Sequence, residues 1–523
     1  MNKKNPILPQ EIEEGNIEYK RKVHFSKEDK FIKFKTQLLW RLDEGKKIYG
    51  NEEAIYYIGI DDNGTVSGES MESIDKSIDN FNRVTSSCNV EIYSTQLKNT
   101  PDGIYTILKI RRLNNNYIEN DTKIALLGAS NHGKSTFLGI LTYDILDDGN
   151  GISRENIFRH THEKQNGNTS SIKYEIIGYN DHRYLNYNSG YIGSWEYIVK
   201  NSKKIINLID LPGSSKYLKT TLFGLLAHKP DYVLIFISIV DNLDPDTELY
   251  IDLCLKLKLR FSIIFTKNDL IDNFTAQKVI QDFTAKINLD CNIPYIIKDS
   301  DDVDIISNIN EIVPIFNISN VSGYNIDLIK FLFKNLNKSP DDRKMTPEKG
   351  IEFMINDLFF VPDVGNVVSG ILNEGVIHIG ENLLIGPINQ TFYNVKIISI
   401  HKKQIPSKTL FQGEIGSLVI KIDNKLSLNK HLMIISTNKL PKLKNGFKII
   451  IKKENYYELK KDLQLMIFCR NIYDSIIIND IIENNKDIII DVKFNNENLQ
   501  YVKNNEYVVI RYNNNIIIGN IVI

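Results

Sequence analysis

GASNHGKST, residues 128–136, follows the apolar run KIALL (123–127) and opens KSTFLGILT, a segment with helical spacing of its apolar residues. It fits the pattern G-x-x-x-x-G-K-[ST], and a strand before with a helix after is the setting in which that pattern cradles phosphate. Glycines at 128 and 133 let backbone N–H groups around Asn131 and His132 turn inward on phosphate oxygens, and the helix N-terminus adds partial positive charge. Lys134 then reaches the outer phosphates, Ser135 offers its hydroxyl to Mg²⁺, and Thr136 completes the loop.

Outward from this loop, the strands KIALLG, KKIINLID, DYVLIFIS, FSIIFTK and VPIFNIS alternate with helical stretches. That alternation predicts an α/β domain with a mostly parallel sheet covered on both faces. Two strands end in further motifs. After KKIINLI comes DLPG, 210–213, where Asp210 would hold a Mg²⁺-bound water and Gly213 would present its N–H to a γ-phosphate. After FSIIF comes TKND, 266–269. The Asp269 carboxylate can accept from the N1–H and exocyclic amino group of guanine, a pattern adenine does not present, with Lys267 lying along the base. Thr266 stands where this motif has Asn and is expected to give up one polar contact. The competing reading of Asp269 is a helix N-cap. Ser319 and Asn320, after PIFNI, stand where a backbone N–H meets the guanine carbonyl oxygen.

A chain of 523 residues is too long for one hydrophobic core. The expected division is a flexible N-terminus (1–28), a small α+β domain (29–118), the P-loop domain (119–338), a linker (339–348), and two antiparallel β-barrels (349–437 and 438–523). In the α+β domain, helices are expected over 31–43 and 74–84, and AIYYIGI with the turn DDNG reads as a hairpin. The barrels are inferred from short strand candidates such as GNVVSGIL, NLLIGP, QLMIFC, DIIIDVKF and EYVVIRY.

Lys+Arg 64 against Asp+Glu 65 excludes a global positive field, so an RNA contact must be a local patch. Residues 439–461, with Lys442, Lys444, Lys448, Lys452, Lys453 and Lys460, are one candidate; a solvated face in a Lys-rich chain is the competing reading. Cys88, Cys254, Cys291 and Cys469 form no zinc spacing and fit a reducing compartment. The longest apolar run, 232–240, is about half the ~20 residues that span a bilayer. The N-terminus lacks a secretory signal. A cytoplasmic monomer with no membrane partner is expected.

FRHTHE (158–163), GNTSS (167–171), KYLKTTLFG (216–224), TKND, ISNVSGYNIDLIK (318–330) and VPDVGNVVSG (361–370) resemble, in matching order, segments of the GTP-binding protein 1/2 subfamily of translational GTPases. These are relatives of elongation factor Tu. LLWRLDEG and IGIDDNGTVSGE near the N-terminus resemble it as well. The resemblance implies a Ras-like P-loop G domain followed by two barrels. It also implies GTP/GDP and Mg²⁺ as ligands, and the ribosome with tRNA or mRNA-handling factors as partners. It makes Thr169 the switch I threonine that completes a Mg²⁺ shell with Ser135 and, through water, Asp210. The two histidines of FRHTHE lack a third ligand, which argues against zinc.

Four positions in the phosphate loop and switch segments depart from the family pattern. Ser214 stands where these GTPases carry the His that orients the attacking water, and serine is too short for that task. Ser130 and Asn168 replace apolar residues that gate the approach to the water, and Asn131 replaces a common carboxylate. His132 is a candidate substitute for the missing base. The expectation is therefore a GTP-binding, translation-factor-like GTPase acting on ribosome/RNA complexes, hydrolysing slowly or only with a partner. The alternative is a non-hydrolysing pseudo-GTPase, a GTP-gated binding module. A non-nucleotide adaptor would leave Lys134 and Asp269 without purpose.

Overall fold

The computed structural model describes residues 8–523 except 13, 26–27, 50–52, 87, 89, 113–120, 159–162, 164–166, 168, 182, 190–194, 242–244, 288, 290–291, 307–308, 310, 337–349, 423–427, 429–431, 437–440, 454–458, 484–486, 496–498 and 513–514. Asn168, Cys291, Lys439 and the two histidines of FRHTHE lie outside the described residues. The chain divides into two compact units, 1–118 and 119–523.

The first unit runs β1 (Ile17–Lys20), α1 (Glu28–Tyr49), β2 (Glu53–Ile58), α2 (Met71–Ser86), β3 (Val90–Thr100) and β4 (Gly103–Arg112). Its sheet order is β1-β2-β4-β3, with β1 parallel to β2. Phe34, Leu38 and Leu42 of α1 and Phe81 of α2 meet Tyr56 and Leu108 of the sheet in one core. The segment expected to be flexible contains β1. Its Glu18 is buried against Arg41, whose Nε donates to Glu18 Oε2 at 2.5 Å and whose Nη2 donates to Glu11 Oε1 at 2.7 Å. The expected hairpin at DDNG is reduced to one bridge, Ile60 with Val66, because β2 takes its partners from β1 and β4 instead.

The second unit begins with β5 (Asp121–Gly128), α3 (Lys134–Tyr143), β6 (Lys173–Tyr179), β7 (Tyr184–Leu185), α4 (Trp195–Asn201), β8 (Lys204–Asp210) and α5 (Leu218–His228). It continues with β9 (Tyr232–Ser238), α6 (Pro245–Lys256), β10 (Phe261–Thr266), α7 (Asn273–Lys286), β11 (Ile293–Ile296), α8 (Ser300–Ile306), β12 (Ile312–Asn317) and α9 (Ile326–Asn335). The sheet order is β11-β12-β10-β9-β5-β8-β6-β7. Strands β5 and β8 to β12 pair in parallel, while β6 and β7 are antiparallel additions at one edge. Every residue of β9 is buried, as a central strand covered on both faces must be. The strand order reverses at β5, so the loop after β5 sits at the crevice where such sheets bind ligands.

The rest is β. β13 (Glu352–Val361), β14 (Gly365–Glu374), β16 (Asn382–Ile388), β17 (Thr391–Lys402), β20 (Ile415–Lys421) and β21 (Met433–Ile435) pair as β16-β21-β13-β14-β20-β17, and β16–β17 pairing closes the ring. The short strands β15 (Val376–His378), β18 (Ile405–Ser407) and β19 (Thr409–Phe411) flank it. The second ring, β22 (Gly446–Lys452), β25 (Asp487–Phe494), β24 (Ile472–Glu483), β23 (Gln464–Cys469), β26 (Tyr507–Tyr512) and β27 (Asn515–Val522), is a closed barrel. Closure removes the free edges that open sheets expose. Two strands of the rings, β13 and β24, and the short flanking β18 and β19 were not among the sequence candidates.

Helix α5, just after the DLPG motif, touches both barrels. Its Leu222 and Leu225 share one core with Phe468, Val509, Ile516 and Ile518 of the second barrel, and Lys219 Nζ lies 4.2 Å from the centre of the Tyr473 ring. At its C-terminus His228 is fully buried, its Nε2 2.8 Å from both Tyr174 Oη and Asn356 Nδ2 of the first barrel. Desolvation, helped by the nearby Lys123 charge, pushes the His228 imidazole down to about 3, so it is neutral; Nε2 accepts from the Asn356 amide.

Candidate nucleotide site

The phosphate loop is fixed by strand β9. Gly128 ends β5 at φ 135°, and a Cβ there would overlap the Phe236 carbonyl oxygen. The same carbonyl accepts from His132 Nδ1 at 3.1 Å. Burial lowers the His132 pKa, so the imidazole is neutral with its proton on Nδ1. The Nδ1 contact ties the phosphate loop to β9. Asn131 at φ 64° and Gly133 at φ 83° supply the left-handed turn into α3, and a Cβ on Gly133 would come within 2.9 Å of Asn320 Nδ2.

Lys134, Ser135 and Thr136 open α3 and are all buried. Lys134 Nζ donates to the Gly128 and Ala129 carbonyls, both at 2.8 Å, so the ammonium lies folded over its own loop. Desolvation pushes it down to about 8, although Asp210 opposes the shift. Ser135 Oγ donates to Asp210 Oδ2 at 2.7 Å and lies 2.8 Å from Thr169 Oγ1, which itself donates to Asp210 Oδ2 at 3.2 Å. The three oxygens predicted to hold a metal thus come from three distant segments to one point. Burial raises the Asp210 carboxyl, and its Oδ1 is buried without a hydrogen-bond partner. A hard cation with oxygen preference fits that donor set, because it would meet the orphaned carboxylate oxygen and two hydroxyls.

Gly213 lies against the loop so closely that a Cβ would overlap Lys134 Nζ, and it lines the cavity beside that ammonium. That small cavity, about 20 Å³, is lined by Ser130, Asn131, Gly133, Lys134, Ser135, Thr136, Arg154, Gly167, Thr169 and Gly213. Ser214 is not among its walls. Its Oγ accepts from Lys216 N at 3.4 Å and its carbonyl from Tyr217 N, so it caps the turn into α5.

The base-reading residues also assemble. Asp269 sits on a short 3-10 turn, exposed, with Oδ1 accepting from Ser319 Oγ at 2.5 Å. The cap of α7 is Asp272, which accepts from Thr275 N, so the N-cap reading passes to that residue and Asp269 stays free for the base. Thr266 Oγ1 donates to the His132 carbonyl at 3.0 Å and Asn320 Nδ2 to the Gly133 carbonyl at 3.2 Å. The Thr266 hydroxyl thus ties this strand end to the phosphate loop. Lys267, at φ 63°, pairs with Asp241 at 3.2 Å. The Ser319 N–H donates to the Tyr324 carbonyl, which leaves the neighbouring Asn320 N–H for a base oxygen.

One pair escaped the sequence reading. Glu163 and Lys173 are buried at 0% and 1% side-chain exposure, 2.9 Å apart, beside the Phe158 ring. Glu163 Oε1 accepts from Ser170 N and Oγ at 2.8 and 2.9 Å. Burial alone would raise this carboxyl, but the Ser170 N–H and Lys173 together hold it down at about 2. Lys173 lies opposite Asp210 in the β6–β8 register, so the pair staples the Thr169 segment to the sheet beside the metal oxygens. A Lys opening the mostly apolar strand KYEIIGY was the available signal. A larger cavity, about 730 Å³, lies between the far end of this sheet and the second barrel, lined in part by Arg260, Arg470 and Glu506. It shares no residue with the nucleotide site.

Residues 119–342 match the elongation factor Tu GTP binding domain. The chain is 32% identical over 460 residues to GTP-binding protein 2 of Mus musculus, covering 84% of this chain and 75% of that protein. It is 31% identical over 448 residues to GTP-binding protein 1 of Xenopus laevis, covering 83% and 67%. Among solved structures it is similar to the elongation factor SelB of Methanococcus maripaludis in complex with the GTP analogue GppNHp. That match has TM-score 0.56 and 15% identity, covering 77% of this chain and 79% of that one. The GTPase-like domain of S. cerevisiae Ski7, bound to GTP, gives TM-score 0.57 at 18% identity, covering 77% and 97%. With the loops after β5, β8, β10 and β12 gathered at the carboxyl end of one sheet ahead of two barrels, the chain belongs to the GTP-binding protein 1/2 family of translation-factor-like GTPases.

Proposed function

We propose that this chain binds GTP with Mg²⁺, hydrolyses it slowly until a ribosomal or RNA-bearing partner engages, and takes or releases that partner according to its nucleotide state. The observation that carries this is the meeting of Ser135, Thr169 and Asp210 at one point, with Gly213 against Lys134. Thr169 is the only one of the three on the loop that follows α3, so its contact is the one that a change at the γ-phosphate can make or break. Mg²⁺, where bound, would shield phosphate charge. The remaining work falls to Lys134 and backbone N–H groups on the phosphates, and to Asp269 on the base. Because α5 follows Gly213 directly and touches both barrels, movement at DLPG has a rigid path to them. A cytoplasmic site of action and a partner bearing tRNA or mRNA belong to this reading.

Slow intrinsic turnover is supported by Ser214, whose hydroxyl is engaged with its own turn and has no reach to a water at the cavity. Ribosome-stimulated GTP hydrolysis by the purified chain is the test. A rate that active ribosomal complexes leave at the unstimulated level would sink the partner-triggered reading and favour the non-hydrolysing module. Independently, Ser214→His should raise single-turnover hydrolysis by about 10²–10⁴-fold, the scale of one positioned general base. Equal rates would place water handling elsewhere.

A further inference from the structure

We infer that Arg154 is a cis-acting arginine that stabilises the transition state of GTP hydrolysis. It rests on the hydrolysis reading above, and its task, meeting charge on the phosphoryl oxygens, is distinct from the water-orienting one that Ser214 leaves unfilled. Arg154 ends a short 3-10 turn, Ile152–Arg154, in the segment between α3 and Thr169, and it lines the cavity shared with Lys134, Ser135, Thr169 and Gly213.

The position is rigid. Ser153 Oγ donates to the Thr136 carbonyl at 3.3 Å and to Asp147 Oδ1 at 3.0 Å. A Cβ on Gly139 of α3 would overlap the Ser153 carbonyl oxygen, so the turn lies directly on the phosphate-loop helix. Asp147 N donates to the Asn320 carbonyl, which ties the same turn to the base-reading loop. Arg154 is therefore carried by the parts of the site that hold the nucleotide, before any switch movement.

Its guanidinium is framed and left free. Gly151, at φ 102°, stands against Nε where any Cβ would overlap it, and a Cβ on Gly167, at φ 68°, would come within 3.1 Å of Nη2. The Phe158 ring centre lies 5.8 Å from Cζ. The nearby acids are committed elsewhere. Asp148 Oδ1 takes the N–H groups of Asn150 and Gly151, Asp147 takes Ser153, and Glu163 takes Lys173 and Ser170. Among the described residues no acceptor holds the Arg154 guanidinium. A half-buried cation spared from the carboxylates of its own loop, and facing a phosphate cavity, is placed for an anion.

In the reaction a water oxygen bonds to the γ-phosphorus as the bond from that phosphorus to the β,γ-bridging oxygen breaks. The electron pair leaves with GDP, and the water proton ends on the released phosphate. Charge grows on the bridging and equatorial oxygens, and Arg154 meets it by donating N–H bonds without giving up a proton. An arginine so placed is worth about 10³–10⁵ in rate.

The test uses the full chain with Mg²⁺ and the variants Arg154→Ala and Arg154→Lys. Single-turnover hydrolysis, the Kd of a fluorescent GDP, and formation of the GDP–aluminium fluoride complex are measured. For Arg154→Ala the expected result is GDP affinity within about threefold of wild type, hydrolysis lower by about 10³–10⁵-fold, and no aluminium fluoride complex. Arg154→Lys keeps the charge without the fork, and should fall between wild type and Ala. Its milder change keeps the test readable if the alanine variant fails to fold. Hydrolysis within threefold of wild type overturns the inference, as does a parallel loss of rate and GDP affinity, which would mark a ground-state phosphate contact. A wild-type chain that neither hydrolyses GTP nor forms the complex overturns the hydrolysis reading itself; active wild type with unchanged variants overturns only the role of Arg154.

Discussion

Replacing Asp269 with Asn should weaken GDP binding by about a thousandfold and create binding of xanthosine diphosphate. In the proposed reading the carboxylate would accept from two guanine donors; an amide nitrogen would confront the exocyclic amino group with a second donor, leaving both unpaired. Xanthine carries a carbonyl at that position, so the same amide N–H regains a partner. The Ser319 hydroxyl can still donate to the remaining side-chain oxygen, which keeps the group aimed. Titrating both fluorescent diphosphates against wild type and variant measures the exchange. Guanine affinity left within tenfold would remove Asp269 from base reading. A local folding effect is a poor alternative, since the cap of α7 is supplied by Asp272.

The second large effect concerns stability. Lys173→Met should destabilise the chain by about 3–5 kcal/mol in denaturant unfolding, because it strands the Glu163 carboxylate in a buried site. The double variant Lys173→Met/Glu163→Gln removes both charges and should recover most of that loss. The pH dependence has a definite sign. Glu163 is held below its ordinary 4.5, at about 2, so its contribution is complete above about pH 4.5 and declines as pH falls toward 2. In Lys173→Met the carboxyl loses its partner and rises, so the penalty shrinks in acid. A single variant as stable as wild type at pH 7 would mean that Glu163 reaches water when released.

Both predictions show where the sequence was readable. The base and phosphate motifs are local: a few residues on one turn carry the chemistry, so Gly128, Lys134, Asp210 and Asp269 could be named from spacing alone. Glu163–Lys173 was not, because its meaning depends on a switch segment folding back onto a strand edge. Ser214 was placed correctly in the chain, but its hydrogen bond to Lys216 N is a matter of rotamer. The Nδ1 contact of His132 was not legible for a related reason, since its partner is a backbone carbonyl of β9, 104 residues away. In the barrels, β13 and β24 mix apolar residues with Asn and Asp, as in EFMINDLFFV and IYDSIIINDIIE, which blurs the alternation that marks a strand. Ring closure, a property of pairing between distant strands, leaves no local trace.

The core shared by α5 and the second barrel bears on how the chain can be dissected. Residues 119–342 are a unit of descent, but Leu222 and Leu225 reach their full burial only beside Phe468, Val509, Ile516 and Ile518. A fragment cut after residue 342 would present that seam to water as an adhesive apolar stripe. Heat should therefore melt the nucleotide-binding part and the second barrel together, and a ligand that tightens one should raise the melting point of the other.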